Sequence, residues 1–241
     1  KLILMSNIRL FYPENIIDNS TSLLSKEHTH YVVNVMRLKR GSNLNFFNKN
    51  GEWNSEIVFL DKDRVEVKFL NKVKEPGGSL NIELAICLVK KNPMETILQK
   101  ATELGVSKIT PIISERTEVK ELNYERAKKI VVEATEQSNQ LSPPKISEVV
   151  KLKDFLNNLD SSSKLLFADV NSKDNLKKEV LAEAKSLTVL IGPEGDFSPS
   201  EIELIHGNPN VVPFTISRNI LRSDTAVISA ISLVNFINNF H

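Results

Sequence analysis

Cysteine is nearly absent: the 241 residues contain only Cys87, so no internal disulfide can form and a reducing compartment is expected. Cys87 sits in the apolar run Leu84–Val89 with no base adjoining it, which reads as a small buried hydrophobe rather than a nucleophile. Histidine is scarce too, with four residues at 28, 30, 206 and 241. Their scatter gives no zinc-ligand spacing, and no metal is expected. Also missing are a G-x-G-x-x-G turn after the first strand, a G-x-x-x-x-G-K-[ST] loop and a G-x-S-x-G elbow, the signatures of dinucleotide, P-loop and serine-hydrolase sites. No apolar run approaches the roughly 20 residues that span a bilayer, and Lys1–Met5 is too short for a signal h-region. A cytoplasmic protein without a membrane partner is the expectation.

Hydrophobic residues make up 41% of the chain and charged ones 25%, enough apolar material for a sizeable globular core. Charge is unevenly spread: residues 1–78 carry 12 Lys/Arg against 9 Asp/Glu, and residues 79–241 carry 19 against 21. A basic bias in the first portion is what phosphate contacts require. Arg37, Lys39 and Arg40 cluster behind His30 and Tyr31, two rings able to hydrogen-bond or stack on a base. The same cluster also reads as a solvated helix end closed by Gly41.

The runs Asn43–Asn48, Trp53–Leu60 and Arg64–Leu70 are strand-like, with turn signals at Asn50-Gly51 and Asp61-Lys62-Asp63. Val65, Val67 and Phe69 alternate with charged residues, the pattern of a half-buried sheet in a small β-barrel. The stretch Lys74 to Ser79, reading KEPGGS, breaks every periodicity and sets a linker at 74–79 between domains 1–73 and 80–241. Strand and helix then alternate. Leu80–Val89 reads as a strand, followed by a helix with Asn92 as its cap, Pro93 at its first position and Glu95 reaching back, ending at Gly105. Strands at Ser107–Ile113, Lys164–Ala168 and Ser186–Ile191 and helices at Tyr124–Asn139 and Lys173–Ala184 complete an α/β domain with a mainly parallel sheet.

Two segments carry the chemistry. Ile191 to Ser198, reading IGPEGDFS, follows an apolar strand, and ligands bind at the carboxyl ends of such strands. Asn219 to Ala226, reading NILRSDTA, sets an arginine, an acid and a hydroxyl at the mouth of the last apolar helix. That helix is apolar on more than one stripe and needs more than one buried face.

Five blocks in order resemble the ribosomal RNA small-subunit methyltransferase E family, of the knotted SPOUT class. They are QKATELGV from Gln99 to Val106, PIISERT from Pro111 to Thr117, EATEQS from Glu133 to Ser138, IGPEG from Ile191 to Gly195 and ILRSDTA from Ile220 to Ala226. The resemblance implies an N-terminal PUA-like β-barrel, a C-terminal deep trefoil knot and a homodimer. It implies S-adenosyl-L-methionine as methyl donor and N3 of a uridine in 16S rRNA, free or in the small ribosomal subunit, as acceptor. Donor contacts carry over to Ile191, Gly192, Glu194, Gly195, Ile216, Ile220 and Leu221. Arg222 is the candidate for stabilising charge on the uracil carbonyl oxygens, or else for an RNA phosphate or a pair with Asp224 or Glu194. Glu194 or Asp224 is the candidate proton acceptor, and Thr225 either holds the base or caps the helix. RNA contacts are expected at Arg9, His30, Arg37 and Arg116. Two departures stand out: Asp196 and Ser217 occupy positions where the family usually has glycine. A noncatalytic RNA-binding or ribosome-assembly protein on the same fold is the alternative those departures leave open.

Overall fold

The computed structural model describes residues 8–78, 81–182, 184 and 186–240. Calls on Lys1–Met5, Ser79, Leu80 and Glu183 lie outside the described residues. The chain forms two compact units, one of residues 8–78 with Thr135–Ser142, the other of 81–134 with 143–240.

In the first unit, β1 (Arg9–Phe11), β2 (Thr21–Leu23), β3 (Asn43–Asn48), β4 (Gly51–Leu60) and β5 (Val65–Lys74) make one sheet in the order β1-β3-β4-β5-β2. Among the described residues of this sheet only the β1–β3 pair is parallel. The β3–β4 turn falls at Asn50-Gly51, where Gly51 has φ +144 and an added Cβ would meet the Lys74 carbonyl oxygen at 2.6 Å. Only glycine fits there. Val65, Val67 and Phe69 are fully buried, with Leu44, Phe46, Trp53 and Ile57 around them, so the period-two alternation read the core face correctly. Between β2 and β3 lie α1 (Lys26–His30) and a single π-turn, Tyr31–Val35.

The second unit begins with β6 (Ile82–Cys87), α2 (Lys91–Glu103), β7 (Lys108–Ile113) and α3 (Tyr124–Gln137), whose last turn belongs to the first unit. Next come β8 (Lys145–Ile146), β9 (Val150–Lys151), α4 (Leu152–Asn157), β10 (Ser163–Ala168) and α5 (Lys178–Ala182). The chain finishes with β11 (Ser186–Ile191), α6 (Pro199–His206), β12 (Val211–Phe214) and α7 (Ser223–Phe240). The sheet runs β12-β10-β11-β6-β7-β8, with β9 also on β7, and every pair is parallel. Its two faces bury different residues of the same strands. Leu84, Ile86, Leu187 and Val189 pack with α2 and α7, while Ala85, Cys87, Leu165 and Leu190 pack with α4 and α6. Burial on both faces explains why these strands read as continuous apolar runs.

Some local readings need correction. α2 starts at Lys91 with Lys90 as N-cap and no side-chain cap, so neither Asn92 nor Glu95 forms a capping box. Glu95 instead accepts two hydrogen bonds from Arg126, at 2.9 and 3.2 Å, and that pairing holds its carboxyl below the usual range. The expected helix Lys173–Ala184 shortens to α5, and α6 was not foreseen. Gly105 does end the α2 segment, at φ +84, by donating to the Thr102 carbonyl.

Candidate functional site

At the carboxyl ends of the central strands, β11 runs into the loop Gly192–Asp196 and then α6. α6 starts on a capping box: Ser198 accepts from the Glu201 amide, and the Glu201 carboxylate accepts from the Ser198 amide at 3.0 Å. The second oxygen of Glu201 accepts from the Glu115 amide at 2.8 Å. One buried carboxylate therefore ties the strand-end loop after β11 to the one after β7. Arg116 closes the same junction, with Nη1 donating to the Gly195 carbonyl at 2.9 Å. Gly192 lies under Phe197, whose ring would stand 3.1 Å from an added Cβ. The loop is thus pinned from beneath by an aromatic ring and from the side by an arginine.

Asp196 has φ +59, the left-handed region that glycine enters without cost. Its amide donates to the Pro193 carbonyl at 3.0 Å and its carboxylate accepts from the Phe197 amide at 2.7 Å. A short polar side chain that bonds its own backbone is the non-glycine solution to such a turn. The carboxylate is spent locally. Ser217 needs no glycine either: it is absent from the positive-φ residues, and its hydroxyl accepts from the Asn219 amide at 3.0 Å.

The loop forms one wall of a cleft of about 310 Å³ whose opposite wall is Ile216, Ser217 and Asn219–Leu221, so Ile191, Gly192, Glu194, Gly195, Ile216, Ile220 and Leu221 come together. Ile220 is 89% exposed, an apolar side chain with its face to the opening. Asp169 and Val170, just past β10, also line this cleft. A second cleft, of about 470 Å³, is bounded by Lys90, Lys91, Asn92, Pro93, Glu194, Arg222, Ser223 and Asp224. Glu194 and Ser223 belong to both, so the two clefts adjoin there. Three cations face the second: Lys90 and Lys91 at the start of α2, in the segment that follows β6, and Arg222 at the mouth of α7.

Arg222 approaches Asp224 with Nε 3.6 Å from the carboxylate while its own side chain stays exposed. The same Asp224 oxygen accepts from the Thr225 amide at 2.9 Å. Thr225 is exposed in the first turn of α7. Glu194 is exposed on the rim shared by the clefts. Sequence reasoning missed Lys90, Lys91, Asp169 and Glu201. The strand-end rule that found Gly192 applies equally to the ends of β6 and β10, and was the available signal for the first three.

The expected RNA contacts fare differently. Arg9 is enclosed: its guanidinium donates to Glu52 at 3.0 Å and to the carbonyls of Thr135, Glu136 and Gln140, and it stacks 4.2 Å above the Phe47 ring. With its side chain 12% exposed, it holds the segment Thr135–Ser142 onto the β-sheet of the first unit. That arrangement supports a structural role rather than the RNA contact expected of it. His30 and Arg37 flank the π-turn. His30 Nδ1 lies 3.0 Å from the Asn34 amide nitrogen, and Arg37 is exposed at φ +51. Among the described residues no cluster of three His, Cys, Asp or Glu is placed to share a metal ion. Cys87 is fully buried, and burial pushes its thiol up to about 12.

Residues 76–235 match the family described as RNA methyltransferase domain, and residues 24–70 the RNA methyltransferase PUA domain. The chain is 32% identical to the ribosomal RNA small subunit methyltransferase E of Rickettsia conorii, over 96% of each chain. It is 31% identical to that of Aquifex aeolicus, over 95% of this chain and all of the other. Among solved structures, the ribosomal RNA small subunit methyltransferase E of Neisseria gonorrhoeae bound to S-adenosyl methionine superposes with a TM-score of 0.89 at 26% identity, covering 96% of this chain and 98% of that one. A putative methyltransferase of Legionella pneumophila with bound SAM superposes at 0.83 with 31% identity, covering 95% and 97%.

Proposed function

The chain belongs to the ribosomal RNA small subunit methyltransferase E family, and from that premise we propose that it methylates N3 of a uridine in 16S rRNA with S-adenosyl-L-methionine as donor. The observation that carries this reading is the pair of clefts meeting at Glu194 and Ser223. The smaller one fits the donor. Its volume lies at the low end for small-molecule sites, Ile216, Ile220 and Leu221 give it flat apolar walls, and the Gly192–Gly195 backbone presents polar groups beside them. When bound there, the donor supplies a methyl group made electrophilic by its sulfonium. The larger cleft, ringed by Lys90, Lys91 and Arg222, suits a nucleotide whose phosphates need cations.

The protein's task is alignment and proton removal. Holding N3 in line with the methyl carbon supplies several kcal/mol of the barrier reduction. As the imide proton leaves, negative charge spreads onto the uracil carbonyl oxygens, and Arg222, oriented by Asp224, stands at the cleft to stabilise it. With Asp224 engaged by Arg222 and by the Thr225 amide, Glu194 is the proposed proton acceptor. Thr225 is assigned to the helix mouth, its hydroxyl available to the base.

The division of labour follows: residues 1–73 dock RNA through the His30–Arg40 segment, 74–79 link, and 80–241 bind donor and react. We assign the segments around 191–196 and 216–221 to a trefoil knot, cytoplasm as the place of action, and a homodimer. Support for the dimer comes from α7, where Ile228 is 36% and Phe236 51% exposed two turns apart, while Val227, Ala230, Ile231 and Val234 fill the core. The deciding experiment is methyl incorporation into small subunits from a strain lacking this modification, with mass mapping of the product. N3-methyluridine appearing with wild type, and falling by ~100-fold or more with Arg222→Ala, supports the reading. Donor binding without methyl incorporation would establish a noncatalytic RNA-binding protein instead.

A further inference from the structure

We propose that Asp169 is the donor's ribose-binding residue, accepting hydrogen bonds from the 2′- and 3′-hydroxyls, and that His206 is the positioning residue that sets its carboxylate. The inference rests on the assignment of the smaller cleft to an adenosine-containing donor. Asp169 follows β10 directly, lines that cleft, and has a side chain only 11% exposed. A carboxylate so little exposed needs partners on each oxygen. Asn171 supplies one, its amide donating to Oδ1 at 2.8 Å, and His206 the other, with Nε2 3.3 Å from Oδ2. Each carboxylate oxygen has two acceptor sites, so one on each remains for a ligand.

The neighbours identify which part of the ligand that is. Of the acids lining the cleft, Asp196 is exposed with Oδ1 turned back onto the Phe197 amide, and Glu194 lies on the rim shared with the basic cleft, where the methyl group must meet its acceptor. The apolar wall Ile216–Leu221 suits the base. Asp169 lines the smaller cleft and not the basic one, next to Val170. Beyond the base and the sulfonium, the donor's polar portions are its vicinal diol and the ammonium and carboxylate of its methionine; of these the diol, with O–H donors on adjacent carbons, matches the one remaining acceptor site on each Asp169 oxygen. A fixed carboxylate accepts two O–H groups at once. His206 closes α6, its ring edge-on to Phe167 with centroids 5.7 Å apart, and that packing holds the imidazole against Asp169.

Calorimetric titration of the full chain with S-adenosylmethionine, methylthioadenosine, adenosine and 2′-deoxyadenosine tests the assignment. Asp169→Asn keeps an oxygen for the Asn171 amide, so the turn stays formed, but its NH₂ cannot accept a hydroxyl. The expected result is a ~10–100-fold loss of affinity for adenosine, methylthioadenosine and S-adenosylmethionine alike. Wild type should discriminate against 2′-deoxyadenosine, and Asp169→Asn should not. His206→Gln, which still donates, should retain at least half the discrimination, and His206→Phe should lose it. An unchanged adenosine to 2′-deoxyadenosine ratio in Asp169→Asn overturns the proposal. So does a loss confined to S-adenosylmethionine, which would place the carboxylate on the donor's ammonium group. Failure of wild type to bind any of the four compounds overturns the donor-cleft assignment itself, a distinct outcome.

Discussion

Replacing Glu201 by alanine should destabilise the second unit and loosen the donor cleft together. Its carboxylate accepts from the Ser198 amide at 3.0 Å and the Glu115 amide at 2.8 Å, and the residue is 8% exposed. Removing it abolishes the carboxylate half of the capping box and so leaves the buried Ser198 amide without its acceptor, a cost of ~1–3 kcal/mol. Glu115 is exposed, so water replaces its lost partner at little cost. That cost corresponds to a Tm drop of about 2–12 °C for a unit of this size. Glu201→Gln keeps one acceptor but turns an NH₂ toward the other amide, so it should fall between wild type and alanine. Scanning calorimetry reads the stability, and titration with S-adenosylmethionine reads the cleft. The loops carrying Gly195 and Arg116 share this carboxylate, so donor affinity should fall with Tm. A Glu201→Ala protein melting within 1 °C of wild type with unchanged donor affinity would refute the bridging role.

Arg9→Ala removes one partner of the buried pair with Glu52 and should cost ~3–5 kcal/mol, while RNA affinity of the folded fraction, measured by filter binding, stays at wild type. Arg37→Gly should do the opposite, leaving stability unchanged or up to ~1 kcal/mol higher as the left-handed strain is relieved, while RNA binding weakens and its salt dependence flattens. Cys87, its thiol held protonated with a value near 12, should react with a disulfide reagent at pH 8 only after denaturation. Burial lowers His28 from 6.5, its ring edge-on to Phe46 at 6.0 Å, so the folded state binds this proton less readily than the unfolded chain. The associated stability is present above pH 6.5 and lost as pH falls through the folded value; His28→Leu should melt with a shallower dependence on pH between 7 and 5.

Much of the site was legible because its signals are local. A strand ending at Ile191, glycines where the chain must turn, and an equipped helix mouth at Ser223 are properties of a few adjacent residues, and the two segments do line one cleft. The family pattern raised Asp196 as a departure, but only the backbone angle shows that the aspartate occupies the turn a glycine would, with its carboxylate spent on Phe197. Asn92 read as a cap because its side chain is of the right type, yet the cap falls two residues earlier, at Lys90, and no side chain bonds the free amides there.

By itself the sequence determined the strands' two-sided burial, the core alternation of Val65, Val67 and Phe69 and the turn after Ile191, since each is a period or a conformational preference of neighbouring residues. Tertiary structure alone decided what Arg9, Glu201 and Asp169 contact. Arg9 meets carbonyls 126 to 131 positions away, Glu201 reaches an amide 86 positions away, and Asp169 is held by His206. Which charges are enclosed and which face the clefts depends on strand order, and a parallel sheet takes its order from crossovers that leave no local mark in the chain.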